Sequence, residues 1–302
     1  MDECIDGLNI RPDGIYVDGT AGGGGHSYEI ARRLEKGLLI AIDRDPDAVK
    51  AAGERLFGLN ARVVNSNYCE MDRVVRGLGY GGADGILLDL GVSSWQLDNR
   101  ERGFSYHDDA PLDMRMSREG MSARDVVNNY SFEELSRIIY EYGEERYAKN
   151  IASNIVKLRE SNPIESTAEL AEIIRQSVPQ KARRDRNPSR KTFQAIRIEV
   201  NNELGFLSEA LDRAFDLLNV GGRFAIITFH SLEDRLVKQR FADFCRGCTC
   251  PPEFPVCVCG KTPSARLITK KPIEPSEEEQ RINPRSRSAK LRIIEKIKDR
   301  DI

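Results

Sequence analysis

The chain has 302 residues, 40% of them hydrophobic and 31% charged, and a net charge of −2. These values suit a globular protein with one large domain or two ordinary ones. They exclude a global polycation, and no apolar run approaches the ~20 residues of a membrane span. The start, Met1-Asp2-Glu3-Cys4, carries no signal-peptide pattern, so a cytoplasmic protein is expected. Seven cysteines in such a chain argue for thiols or metal rather than disulfides.

Taken in chain order, residues 15–18, 38–43, 62–66 and 84–90 read as strands. Residues 27–36, 46–57 and 70–78 read as the helices between them. This βαβ rhythm predicts an α/β, doubly wound parallel sheet of Rossmann-like type. From about 111 to 202 helical patterns take over, at 122–129, 132–141, 144–160 and 166–176. Ser131 with Glu134, and Ser166 with Glu169, are capping-box signals. Sheet texture then returns: Leu204 to Leu218 reads as a helix, Gly221-Gly222 as a turn, and Arg223 to Phe229 as a strand. The expected organisation is a core over 1–110 and 203–244, a helical insert over 111–202, and a Cys-rich, then basic extension over 245–302.

The stretch Asp18-Gly-Thr-Ala-Gly-Gly-Gly-Gly-His26 lies between the first strand and first helix, and Asp43 ends the second strand. Strand, glycine turn, helix, strand and acid form a nucleotide-type cofactor site in an open α/β sheet. Glycines let the backbone approach a ligand, the helix N-terminus offers N–H groups, and the acid suits ribose hydroxyls. The dinucleotide fingerprint is incomplete, because Ser27 stands where its third glycine would be. S-adenosylmethionine is therefore favoured over NAD. A ligand-free turn is the weaker alternative, since four consecutive glycines cost backbone entropy.

Asp89 ends a fully apolar strand and precedes Gly91-Val-Ser-Ser94. His230 follows the last core strand, which brings it to the same edge or close to it. Asp89 could instead cap a helix, and a lone histidine is commonly structural. Trp95, Phe104 and Tyr106 are candidates to stack a base, with core packing an equal alternative.

At this point the motifs form a recognisable set. They are Asp18-Gly-Thr through His26, Asp89-Leu-Gly-Val-Ser-Ser94, Arg102-Gly-Phe-Ser-Tyr106 and Pro111-Leu-Asp-Met-Arg-Met116. Further on come Tyr142-Gly-Glu-Glu-Arg146, Lys191-Thr-Phe-Gln-Ala-Ile-Arg197, Phe229-His-Ser-Leu-Glu-Asp-Arg235 and Asn283-Pro-Arg-Ser-Arg-Ser288. From about residue 3 to its end, the chain resembles the ribosomal RNA small subunit methyltransferase H family, the MraW methylases. The resemblance implies a class I S-adenosylmethionine-dependent methyltransferase core with an inserted helical domain. It implies methylation of the exocyclic N4 of one cytidine in the decoding centre of bacterial 16S rRNA, with the small ribosomal subunit as partner and a homodimer left open. It carries cofactor contacts to Gly24, Gly25, His26, Asp43, Tyr68, Asp89 and Gln96. Relatives place a His-x-x-Val-Leu-Leu segment ahead of Glu3. Its lack here implies either a start further upstream or an incomplete edge of the substrate cleft.

For the chemistry, Asp89, Ser93 and His230 are the expected catalytic residues. Polar groups near Asp89, Ser93 and Ser94 would accept the amine protons, with His230 assisting or taking the proton after transfer. Positioning can supply ~7–11 kcal/mol of the barrier. A standard DNA amino-methyltransferase is disfavoured because the Pro-Pro-aromatic loop is missing. A ribosome assembly factor that binds S-adenosylmethionine without turnover is the alternative from another class, and a dehydrogenase ranks third.

Two basic segments predict phosphate contact: Lys181, Arg183, Arg184, Arg186, Arg190 and Lys191, then Arg281, Arg285, Arg287, Lys290 and Arg292. The net charge then implies an opposed acidic face, with Glu277–Glu279 and Glu144-Glu145 as contributors. Cys245, Cys248, Cys250, Cys257 and Cys259 fall within fifteen residues. They fit either a structural zinc site or a loop of free thiols.

Overall fold

The computed structural model describes residues 1–181, 187–248, 250–251, 253–256 and 258–300. Its residues form two compact units, Met1–Gly91 with Leu204–Ile302, and Val92–Glu203. The first break lies at Gly91 rather than 110. The reason is that Val92, Leu97, Phe104 and Leu112 pack into the helical unit's own core.

The first unit is built on a seven-stranded sheet. In chain order its elements are α1 (Asp2–Leu8), β1 (Ile15–Asp18), α2 (Gly25–Ala31), β2 (Leu38–Asp43), α3 (Pro46–Arg55), β3 (Ala61–Asn65), α4 (Met71–Gly77) and β4 (Ala83–Asp89). After the helical unit, its later elements follow: α11 (Glu203–Leu217), β5 (Leu218–Thr228), α12 (Ser231–Phe244), β6 (Ala265–Leu267), α13 (Glu277–Ile282) and β7 (Lys290–Lys296). The strand order is β3-β2-β1-β4-β5-β7-β6. All neighbours are parallel up to β5, and β7 is antiparallel to both β5 and β6. This is the class I methyltransferase arrangement that the motifs implied.

Alternation along the strands supplies two apolar faces. Val17, Ile40, Ile42, Ile86, Leu88, Phe224 and Ile226 share one core with α4, α11 and α12. Tyr16, Leu39, Ala41, Leu87, Ala225 and Ile227 share the other with α1 and α2. A sheet covered on both faces reads as continuous apolar runs, which is why these strands were legible. Each of the larger aliphatic and phenyl side chains contributes roughly 1.5–3 kcal/mol of burial.

The C-terminal region departs from the expected basic extension. β7 pairs with β5 from Thr228↔Lys290 to Arg223↔Glu295, placing Leu291, Ile293 and Ile294 in the two cores. Lys296, only 2% exposed, donates to the Leu218 carbonyl at 2.7 Å.

The second unit is helical. It holds α5 (Ser94–Asp98), α6 (Ala123–Asn129), α7 (Phe132–Glu141), α8 (Ala148–Arg159), α9 (Thr167–Ser177) and α10 (Ser189–Asn201). Ser131 and Ser166 form the anticipated capping boxes, and Ser122 with Asp125 forms another. Its core gathers Leu135, Ile138, Ile151, Ile155, Leu170, Ile174, Phe193 and Ile196. Several of the quoted motifs serve this packing. Arg102, 5% exposed, donates to the carbonyls of Arg115 and Met116 at 2.8 and 2.9 Å. Asn201 accepts from Met116 N–H at 2.9 Å and donates to the Met114 carbonyl at 2.7 Å. Gln194 donates to the Tyr142 carbonyl, and Lys191 to that of Glu144.

Candidate active site

The sheet order reverses between β1 and β4, and ligands of open α/β sheets bind beyond the carboxyl ends of strands at such a point. The β1 end is Asp18. Its carboxylate turns inward, accepting from Ser27 Oγ at 2.6 Å and from Thr20 N–H at 3.1 Å. Burial pushes this carboxyl upward against those two hydrogen bonds. Asp18 therefore shapes the glycine turn from inside rather than facing a ligand.

The turn itself needs glycine. Gly22 and Gly24 have φ of +50° and +75°, and a Cβ on Gly24 would stand 3.3 Å from Ala52 Cα. A Cβ on Gly23 would meet nothing within 4 Å, so this stretch of backbone is open on its outer side. Arg55 donates to the Gly23 carbonyl at 3.1 Å and fixes the turn from α3.

Asp43 ends β2 and reaches back to the same turn. One oxygen accepts from Gly22 N–H at 2.8 Å, the other from Asp45 N–H at 2.9 Å. Burial pushes its carboxyl up to about 6, against these bonds. A carboxylate has about four acceptor positions, so two remain for ribose hydroxyls. Tyr68 opens the turn after β3, beside Gly19. A Cβ on Gly19 would come within 2.5 Å of Leu88 and 3.0 Å of Tyr68 Cβ.

Asp89 ends β4. Its backbone N–H donates to Thr20 Oγ1 at 2.6 Å, and Oδ2 lies 3.5 Å from His26 Nδ1. Its side chain is 31% exposed, yet Oδ1 is buried and accepts from no described residue. Burial pushes the carboxyl up to about 6, opposed by His26 and reinforced by Asp18. Burial likewise lowers His26, with Asp89 pulling the other way. Both groups thus favour their neutral forms more than they would in water.

Thr20, Ser27 and Arg55 support this site and were not singled out from sequence. Thr20 and Ser27 lie inside or beside the glycine motif, so their hydroxyls were the available signal. Arg55 gave none, since its partner is a backbone carbonyl 32 residues away.

The other expected residues lie as follows. The register Asp89↔Ile227 puts His230 at the expected carboxyl edge. Its ring is 7% exposed and caps α12: Nδ1 accepts from Glu233 N–H at 3.4 Å, and Nε2 stands 3.2 Å from Glu233 Oε1. Ser93 and Gln96 belong to the helical unit and form the capping box of α5, with Gln96 Oε1 accepting from Ser93 N–H at 3.0 Å. Of the aromatics, Phe104 is buried core and Tyr106 packs edge-on to Phe193. Trp95 is 47% exposed, with the Arg102 guanidinium over its ring.

The basic segments divide. Arg292 pairs with Asp234 at 2.7 Å, both nearly buried, and Lys290 lies 3.5 Å from the same carboxylate. Burial raises Asp234, but the two cations outweigh it and hold it below the usual range. Arg292 is thus a structural partner and not a phosphate contact. Lys191 is engaged with Glu144 and Glu145. Lys181, Arg190, Arg281, Arg285 and Arg287 are exposed. Arg183, Arg184 and Arg186 lie outside the described residues. Glu277–Glu279 form the first turn of α13, whose last turn carries Arg281. Of the cysteine cluster, Cys248, Cys250 and Cys259 come together, while Cys257 lies outside the described residues.

The family model described as the MraW methylase family matches residues 1–297. The chain belongs to that family. It is 59% identical to the ribosomal RNA small subunit methyltransferase H 2 of Agathobacter rectalis, over 98% of this chain and 96% of that protein. It is 57% identical to the ribosomal RNA small subunit methyltransferase H of Lachnospira eligens, over 98% and 96%, and 56% identical to that of Clostridium botulinum strain 657, over 98% and 97%. The family members' shared methyltransferase character agrees with the sheet order and the strand-end carboxylates. Among the described residues, no helix is long and apolar enough to cross a membrane.

Proposed function

We propose that this protein transfers a methyl group from S-adenosylmethionine to the exocyclic N4 of a cytidine in the decoding centre of bacterial 16S rRNA, acting on the small ribosomal subunit. The relatives' names support an rRNA substrate. The observation that carries the chemistry is Asp89 Oδ1, a buried acceptor without a described donor at the switch point of the sheet.

The donor set fits the cofactor. Asp43 offers two remaining acceptor positions to ribose hydroxyls, the glycine turn running through Gly24 and Gly25 is open on its outer side at Gly23, His26 and Asp89 bound the methionine side, and the Tyr68 ring serves the adenine. When bound, S-adenosylmethionine supplies an electrophilic methyl on its sulfonium. The remaining work belongs to the chain. A cytosine N4 amine is a poor nucleophile because its lone pair is delocalised into the ring. An ionised Asp89 oxygen accepting one amine N–H localises that lone pair, and the same oxygen takes the proton released after methylation. Ser93 and His230, both N-caps, hold the ends of α5 and α12 and thereby position the loops that follow β4 and β5. The target base must leave its stack, at a cost of a few kcal/mol. Exposed Arg190, Arg281, Arg285 and Arg287 are the phosphate contacts.

The test is methyl transfer from labelled S-adenosylmethionine to small subunits from a strain lacking this modification, with naked rRNA alongside. N4-methylcytidine at a single position is expected. Cofactor binding without transfer to either substrate would replace this reading with that of a non-catalytic assembly factor.

A further inference from the structure

Between α12 and β6, residues 246–264 contain no described helix or strand. Among its described residues, the apolar side chains Phe254, Val256 and Val258 are 51%, 71% and 73% exposed and so give little anchoring. A loop of this length without secondary structure is uncommon in a compact unit and needs another means of support. The groups that converge in it are sulfurs. The thiols of Cys248, Cys250 and Cys259 all lie within 4.8 Å of one another.

Three features of their geometry indicate a cation. First, the Cys248 and Cys259 sulfurs stand 3.7 Å apart. That is far beyond the ~2.05 Å of a disulfide. Zn–S bonds of ~2.3 Å at tetrahedral angles put sulfurs ~3.8 Å apart. Second, Cys250 N–H donates to Cys248 Sγ at 3.3 Å, and Val258 N–H donates to Cys250 Sγ at 3.4 Å. Such backbone N–H groups are the outer-shell hydrogen bonds that orient metal-ligating sulfurs. Third, three sulfurs converge where a disulfide would employ two. Soft thiolates in a tetrahedral arrangement select zinc among the common divalent ions.

We propose that Cys248, Cys250 and Cys259 bind a structural Zn²⁺ ion that staples the 246–264 loop. The described residues supply three of the four donors of a tetrahedral shell. Each Zn–S bond forms as the S–H proton leaves to solvent, so binding tightens as pH rises. The site lies in a segment separate from the strand-end carboxylates and does not rest on the proposed reaction.

The full chain, purified under reducing conditions without chelator, is analysed for zinc by elemental mass spectrometry. Close to one zinc per chain is expected, falling to background in Cys248→Ser and Cys259→Ser with unchanged circular dichroism. Replacement by Co²⁺ is expected to give sulfur-to-metal charge-transfer absorption and the intense visible bands of a tetrahedral site, both lost in Cys259→Ser. Removing zinc is expected to open proteolytic cleavage within 246–264 while the rest of the chain stays intact. The proposal is overturned if the reduced protein carries no zinc and fails to take up added Zn²⁺ or Co²⁺. Zinc retained in the Cys248→Ser/Cys259→Ser double variant would also overturn it.

Discussion

Thr20 Oγ1 accepts the backbone N–H of Asp89 at 2.6 Å, joining the turn after β1 to the end of β4 across the switch point of the sheet. One hydroxyl thereby sets where the carboxylate of Asp89 stands relative to the glycine turn. A neutral hydrogen bond of this kind contributes about 1 kcal/mol, and an orphaned buried N–H costs 1–3 kcal/mol. Thr20→Val is therefore expected to lower stability by about 1–2 kcal/mol in urea titrations. It is also expected to weaken cofactor binding in calorimetry, with Thr20→Ser restoring both. Wild-type binding by Thr20→Val would show that the hydroxyl does not position Asp89.

Asp43 and Asp89 both have carboxyls raised from the ordinary 3.8 to about 6 by burial. The folded state then binds more protons than the unfolded one. Their contribution to stability is fully present below pH 3.8 and is lost as pH rises through about 6. Asp89→Asn removes one of these groups. Its stability relative to wild type is expected to rise between pH 5 and pH 8 by about 1–2 kcal/mol, out of a ceiling of ~3 kcal/mol for a shift of this size. Thermal melts at the two pH values check this, and a pH-independent difference would be the contrary result.

Activity has the opposite dependence. Both the ribose contact and the amine contact require ionised carboxylates, so kcat/KM is expected to fall as pH drops through about 6. Asp89→Asn is expected to reduce kcat by at least 10²-fold at saturating cofactor, in keeping with the size of a positioned proton-transfer contribution. Turnover near the wild-type rate in that variant would remove Asp89 from the chemistry.

Arg292 and Arg287 stand five residues apart in sequence and do different work. Arg292 is held by nearly buried Asp234, so Arg292→Ala leaves a carboxylate without its main partner. A loss of roughly 3 kcal/mol is expected in unfolding titrations. Arg287 is exposed, and Arg287→Ala is expected to leave the melting temperature unchanged. It should instead reduce the salt dependence of RNA binding by about one phosphate contact. Equal effects of the two variants on melting would contradict this division.

Gly103 has φ of +68°, and a Cβ there would stand 2.2 Å from the Pro111 carbonyl oxygen. Gly103→Ala therefore requires backbone movement within the helical unit. Destabilisation of about 2–4 kcal/mol is expected, confined to that unit in hydrogen-exchange measurements. Loss of protection spread evenly over the sheet would argue against that localisation.

The sequence by itself determined the parallel half of the sheet, because strands buried on both faces leave unbroken apolar runs such as Leu38–Ile42 and Ile86–Leu88. It also located the acids at the strand ends, because Asp18, Asp43 and Asp89 each end such a run at the edge where a doubly wound sheet opens. Ser131 and Ser166 were legible as caps because their partners lie three residues away. Tertiary structure decided what depends on distant partners. β7 mixes charged and apolar residues and becomes a strand only because β5 presents a free edge to pair with. Arg292 reads as one more basic residue until Asp234, 58 positions earlier, takes it as a partner. His230 reads as a base beside the site until Glu233 draws its ring into a cap. Local spacing specifies local contacts, whereas the role of a charge is set by whichever group the fold brings against it.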